Sequence, residues 1–158
     1  MTIRAPKPED AAAVAALYNH YVLHSTASFE TEPLDAEQMR SRLESATARL
    51  VCERERAIGG FGYTHDWKER AAYRHTQEVT VYVAPDSTGL GIGRRLVERL
   101  VAECRTTECH ALVACITADN APSRRLFESI GFRRVSHFEQ VGRKFGRWLA
   151  VVDYELLH

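Results

Sequence analysis

Hydrophobic positions along the chain switch between helical and extended spacing, and the switches lay out most of its elements. Thr2 to Pro6 reads as a short first strand. Pro8, Glu9 and Asp10 then open a helix with acids in its first turn, followed by Ala12, Val14, Ala15, Leu17, Tyr18 and Val22 at near-helical spacing. A polar loop from His24 to Pro33 leads to a second amphipathic helix beginning at Asp35, which supplies an N-cap, with Met39 and Leu43 on its apolar side. Leu50 to Glu53 and Ile58 to Tyr63 read as strands joined by the polar link Arg54-Glu55-Arg56, a hairpin.

Thr76 to Val83 is the next strand, rich in β-branched residues; period 2 puts Glu78, Thr80 and Tyr82 on one face and Val79, Val81 and Val83 on the other. Gly91 to about Thr106 forms a strongly amphipathic helix with Ile92, Leu96, Val97, Leu100 and Val101 on one side. Ala111 to Thr117 is continuously apolar, as in a strand covered on both faces. Asp119 to Ser123 start a last helix through Leu126, Phe127 and Ile130, which Gly131 ends as a C′ residue. Arg133 to Phe138 and Leu149 to Leu156 finish as strands, with Gly142 to Trp148 between or entering them.

The most informative stretch is Val81 to Arg95, a strand, a glycine turn and a helix with basic residues at its start. Glycines let backbone approach a ligand, and the free N–H groups of a helix start favour an anion such as a pyrophosphate. Gly89, Gly91 and Gly93 give G-x-G-x-G, so neither the dinucleotide fingerprint nor a Walker loop is matched. The plain alternative is a surface turn before an ordinary helix.

At 158 residues, without internal repeats, low-complexity segments or a linker, residues 1–158 are expected to form a single domain. Lys plus Arg number 21 and Asp plus Glu also 21, so no global field gathers nucleic acid or anionic membrane, and neither is expected as a partner. No apolar run is long enough to span a bilayer and no signal-peptide layout is visible, so a cytoplasmic protein is expected. Cys52, Cys104, Cys109 and Cys115 show no metal-ligand spacing; Cys52 and Cys115 lie in apolar strands and read as core thiols, with Cys109 exposed, and no metal is expected.

The element order, with its mid-chain glycine turn, the Asn120-initiated helix and the Gly131-Phe132 step into two strands, resembles the GNAT superfamily of acyl-CoA-dependent N-acyltransferases over nearly the whole chain. The resemblance implies an α/β fold of α+β layers, a mixed, mostly antiparallel central sheet flanked by helices. It also implies acetyl-CoA as acyl donor, with backbone contacts from Val81, Tyr82 and Val83 to pantetheine and acetyl. Gly89, Leu90, Gly91, Ile92, Gly93 and Arg94 would take the pyrophosphate, and Asn120 with Ser129 the far arm of CoA. Thr88 stands where the family carries Gln or Arg, and Phe127 where many members carry Tyr or His, which leaves a general acid unassigned among Tyr82, His75 and solvent.

Three further motifs, Ser25 to Pro33, Ala72 to Glu78 and Gly142 to Trp148, resemble the phosphinothricin and methionine sulfoximine/sulfone acetyltransferases. That family acetylates the α-amino group of small amino-acid analogues, usually as homodimers. Amide formation needs a neutral amine, hence a base, and Glu78 is the candidate; without the resemblance it is a strand-face carboxylate paired with Arg74 or another cation. By the same resemblance Arg74 takes the substrate's anionic groups, Ala71, Ala72, Tyr73 and His75 border it, and Phe29 covers the side chain. Lys144, Phe145, Arg147 and Trp148 either shape the pocket or dimer seam or form a solvated basic turn. Direct attack of the amine in a ternary complex is preferred over an acyl-enzyme. A transferase for peptide N-termini or polyamines, and a non-catalytic acyl-CoA module, are the alternatives.

Overall fold

A computed structural model describes Met1–His158. Seven strands form one sheet in the order β1-β2-β3-β4-β5-β7-β6. They are β1 (Thr2–Arg4), β2 (Ala48–Arg54), β3 (Ala57–Asp66), β4 (Thr76–Val83), β5 (Ala111–Thr117), β6 (Arg133–Lys144) and β7 (Arg147–Leu157). Only β4 and β5 run parallel; every other neighbour is antiparallel. The sheet is therefore mixed and mostly antiparallel, as expected.

Two apolar clusters lie on opposite faces, which is what the alternation in β4 requires. On one face α1 (Ala11–His24) and α2 (Ala36–Ser45) bury Val14, Leu17, Tyr18, Val22, Met39 and Leu43 against Val51, Phe61 and Tyr63. On the other, α3 (Ile92–Cys104) and α4 (Ala121–Ile130) pack Ile92, Leu96, Leu100 and Phe127 onto Leu50, Cys52, Val79, Leu112, Val152 and Tyr154. Gly60 makes the close approach of α3 to β3 possible, since a Cβ there would lie 2.8 Å from Ile92 Cγ2.

Local signals set most boundaries. Asp35 caps α2, its side chain accepting from Gln38 N at 2.7 Å, while Gln38 returns a bond to Asp35 N at 2.9 Å. Asn120 caps α4 by accepting from Ser123 N at 3.3 Å, and Gly131 ends that helix at φ 110°. Glu55 and Arg56 both take positive φ, 52° and 65°, in the tight turn of the expected hairpin.

The C-terminal hairpin departs from the sequence reading. β6 and β7 extend through the segment read as a connection, and only Phe145-Gly146 turns, with positive φ at both. Lys144 is consequently not on a solvated turn. It is 5% exposed, and its Nζ donates to Ser28 O at 2.6 Å, Ser25 O at 2.7 Å and Tyr21 O at 3.4 Å, while burial lowers its pKa. A Cβ on Gly142 would overlap the Phe29 ring. Two motifs more than a hundred residues apart thus hold one another: the hairpin supplies an ammonium and a flat seat, and the loop after α1 supplies carbonyls and an aromatic ring.

Replacing Lys144 by Met leaves Ser25 O and Ser28 O without their donor in a buried place, while Tyr21 O keeps the Ser25 N–H, and this costs about 1–3 kcal/mol. We expect a lower midpoint in urea denaturation and faster proteolysis between Ser25 and Pro33; an unchanged midpoint and cleavage pattern would contradict the tether.

Candidate active site

The site originates in the way β4 leaves β5. Their recorded pairs are Thr76 with Ala111, Gln77 with Leu112 and Glu78 with Val113, and none follows. Ala111 N donates to His75 O and Ala84 N to Gly59 O, so odd-numbered residues of β4 direct their backbone groups towards β5 and even-numbered ones towards β3. Beyond Glu78 the N–H and C=O groups of Val81 and Val83 therefore face an opening instead of a strand. One is partly answered: Tyr21 Oη donates to Val83 O at 2.5 Å.

The glycine turn closes one end of the opening. Gly89 and Gly91 adopt φ of 76° and 79°, and nothing lies within 4 Å of where a Cβ would stand on either. Gly91 is the N-cap of α3 with no side-chain cap, and the first helical bond runs from Arg95 N to Gly91 O. The N–H groups of Ile92, Gly93 and Arg94 thus have no intrahelical acceptor and point out of the positive helix end. Arg94 pairs with Glu98 at 2.9 Å and donates to Ser129 Oγ at 2.9 Å, joining α3 to α4. Bare N–H groups, missing side chains and a guanidinium suit a diphosphate.

A cavity of about 1130 Å³ runs from this turn across the splayed strands to α1 and α2. It brings together Glu78, Val81, Tyr82, Val83, Gly89, Gly91, Ile92, Gly93, Arg94, Asn120 and Phe29. Leu90 points outward and is 45% exposed, and Ser129 reaches the cavity only through Arg94. Ala71, Ala72, Tyr73, Arg74 and His75 lie outside the lining, in and after a 3₁₀ turn (Ala71–Tyr73) at the opposite end of β4 from Val83. Arg74 is exposed, so it is not the counter-ion of Glu78; that carboxylate lies 3.9 Å from His65 Nε2.

Glu78 projects into the cavity between β3 and β5. Desolvation pushes its pKa up, opposed by His65 and by the neighbouring Cys115 thiol, and assisted by the negative charge of Asp153. Tyr82 Oη donates to Ala27 O at 3.1 Å, and its pKa is also driven upward by burial, which fits a wall better than a proton donor. Phe127 is buried against Phe132 and lines the opening as an apolar ring.

Sequence reading missed several lining groups. Tyr21, Arg42, Tyr63, His65 and Cys115 all border the cavity. Arg42 is held by Glu30 at 2.6 Å and stands over the Tyr18 ring at 5.7 Å. Only strand register signals some of these: Tyr63 faces Thr80 and His65 faces Glu78 across β3 and β4. Cys115 corrects an expectation. It interrupts an otherwise buried strand and opens to the cavity, because α1 and α2 cover β2 to β4 on this face and leave β5 bare at that position.

Residues 14–132 match the Acetyltransferase (GNAT) family. This chain belongs to that family. The acetyltransferase is 38% identical over 160 residues to an L-methionine sulfoximine/L-methionine sulfone acetyltransferase of Salmonella typhimurium, covering 99% of this chain and 94% of that one. It is 38% identical over 156 residues to the phosphinothricin N-acetyltransferase of Alcaligenes faecalis, covering 96% of this chain and 79% of the relative. A solved acetyltransferase from Salmonella typhimurium, holding its cofactor acetyl-CoA, superposes with a TM-score of 0.96 at 37% identity, over 99% of this chain and 92% of that one. No helix of the acetyltransferase is long and apolar enough to cross a membrane.

Gly91→Ala forces an L side chain into the left-handed region at the α3 N-cap, costing about 1–2 kcal/mol. A drop of several degrees in Tm by calorimetry is expected; no drop would mean that the turn relaxes to another backbone.

Proposed function

We propose that the enzyme transfers acetyl from acetyl-CoA to the α-amino group of a small amino acid or analogue, of the phosphinothricin and methionine sulfoximine or sulfone class. The observation that carries this is a half-buried carboxylate of raised pKa, Glu78, in one cavity with two backbone features built for an acyl-CoA: the splayed edge of β4 and the uncapped start of α3. The substrates named for its relatives support the acceptor class.

In this reading residues 1–158 work as one catalytic domain. The unmet N–H and C=O groups of Val81 and Val83, with the backbone of Tyr82, hold the pantetheine arm and acyl group as an added strand would. The turn from Gly89 to Arg94, including the backbone of Leu90, binds the diphosphate, with Asn120 and Ser129 beside the far arm. The donor supplies an activated acyl carbonyl when bound. Glu78 takes the proton of the incoming ammonium, directly or through one water, so that a neutral amine attacks. Charge developing on the carbonyl oxygen is met by the fixed dipole of Val83 N–H. No side-chain nucleophile is required, because the amine attacks the thioester itself in a ternary complex. The thiolate leaves as a weak base, consistent with an apolar Phe127 beside the opening.

Phe29 covers the acceptor side chain from the loop that Lys144 anchors. Arg74, with Ala71, Ala72, Tyr73 and His75 around it, is kept as the candidate for the acceptor's anionic groups, from a segment outside the cavity lining at the Thr76 end of β4. A homodimer is part of the proposal: Val135, Phe138, Val141, Phe145 and Trp148 expose apolar surface along β6 and β7, and a second copy seated there is the natural cover. We propose a cytoplasmic location for the enzyme.

The test is acetyl-CoA-dependent thiol release with phosphinothricin, methionine sulfoximine, methionine sulfone, ordinary amino acids, spermidine and a short peptide. We expect turnover with the amino-acid group alone, and a loss in kcat/KM of about 100-fold or more in Glu78→Gln. The rate should climb with pH through a Glu78 titration lying above the ordinary carboxylate range, because only the deprotonated form accepts a proton. Acetylation of peptide or spermidine alone would overturn the acceptor, and full activity in Glu78→Gln would overturn the base.

A further inference from the structure

A row of polar side chains crosses five strands on the face that carries Glu78, and most of it plays no part in the reaction described above. His65 on β3 faces Glu78 on β4, with His65 Nε2 3.9 Å from its carboxylate. Glu78 pairs with Val113 on β5, and Cys115, two residues further on, projects from the same face into the cavity. Cys115 lies directly across from Asp153 on β7, and Asp153 pairs with Ser136 on β6, whose hydroxyl donates to Asp153 Oδ2 at 2.8 Å. Cys115 thus lies between Glu78 and Asp153 on the shared face of the sheet.

We propose that Cys115 and Asp153 are positioning residues that set the protonation of Glu78 from opposite directions. The inference rests on the reading of Glu78 as the base. The thiol stands beside the carboxylate on that face and carries an S–H donor, so it favours the charged, proton-accepting form. Asp153 is a second negative charge on the far side of the same thiol, so it favours the protonated form. Ser136 keeps Asp153 oriented within this row.

Other groups around Glu78 do not duplicate this pair. On β3, His65 opposes protonation of Glu78, and Tyr63 is held by its own burial as a neutral phenol. From α2 and the loop before it, Arg42 and Glu30 neutralise each other at 2.6 Å. On β7, Glu155 lies on the same face but pairs with Arg133 at 3.8 Å. A thiol between two carboxylates is also a poor nucleophile. Desolvation and both negative charges drive its pKa upward, so Cys115 stays protonated and serves as a donor, open to the cavity yet unreactive.

The discriminating experiment follows the Glu78 side-chain carboxyl by ¹³C NMR against pH in the free enzyme, for wild type, Cys115→Ala, Cys115→Ser and Asp153→Asn. Removing the thiol donor should raise the Glu78 pKa by about half a unit or more, and removing the Asp153 charge should lower it by a similar amount. Cys115→Ser keeps a donor and should stay close to wild type, which separates hydrogen bonding from packing. The acid limb of kcat/KM against pH should move with the NMR value in each variant. Asp153→Asn should also speed alkylation of Cys115 several-fold, because more thiolate is present. Shifts in one common direction, or none, would overturn the proposal. Opposed NMR shifts with an unmoved pH profile would keep the tuning and overturn Glu78 as the base, as would a Glu78→Gln enzyme of full activity.

Discussion

The separation of β4 from β5 after Glu78 is the constraint on which the site depends. Two parallel strands that stayed paired would satisfy every backbone group between them and leave neither a groove nor donors. Pairing for three residues and then parting gives both, and it does so in the middle of the sheet, where helices on both faces keep the strands from collapsing together. The glycine turn lies at the end of the departing strand, so the uncapped start of α3 opens into the same space. Backbone, which no substitution readily alters, thereby forms much of the binding surface.

Side chains then determine what the groove does. The face towards α1 and α2 collects tyrosines, with the Tyr82 and Phe61 rings 5.7 Å apart and Tyr18 meeting Tyr82 edge-on at 5.1 Å. Such a wall lowers the local polarity around Glu78, and that desolvation is the first cause of its raised pKa. Towards β5, β7 and β6 the same face is not covered by a helix. The polar row from Glu78 to Ser136 occupies that uncovered ground, so one carboxylate sits at the border between an apolar wall and a polar strip.

The loop from Ser25 to Pro33 shows how remote segments complete the site. It carries no regular structure, yet Lys144, Gly142 and Thr117 fix it; Thr117 Oγ1 donates to Thr26 O at 2.6 Å. Phe29 and Glu30 reach the cavity rim only because this tether holds their backbone. The buried ammonium is tolerated because three carbonyls accept from it, replacing the water it loses.

Helix periods, caps at Asp35 and Asn120, the hairpin at Glu55-Arg56, the two faces of β4 and the glycine turn were legible in the sequence, because each is written in residues close together along the chain. Glu78 was legible too, as a carboxylate on one face of a β-branched strand, while its reading as a base came from the family resemblance. Tertiary structure decided the rest. Lys144 reads equally as part of a pocket or seam or as a solvated turn until β6 and β7 prove long enough to carry it under the loop, and Cys115 reads as core until helix coverage stops short of β5. The alternative reading pairs Glu78 with Arg74 or another cation, and the structure puts His65 across the sheet from it. These outcomes turn on which strands lie side by side and which face a helix covers, and local spacing carries no record of either.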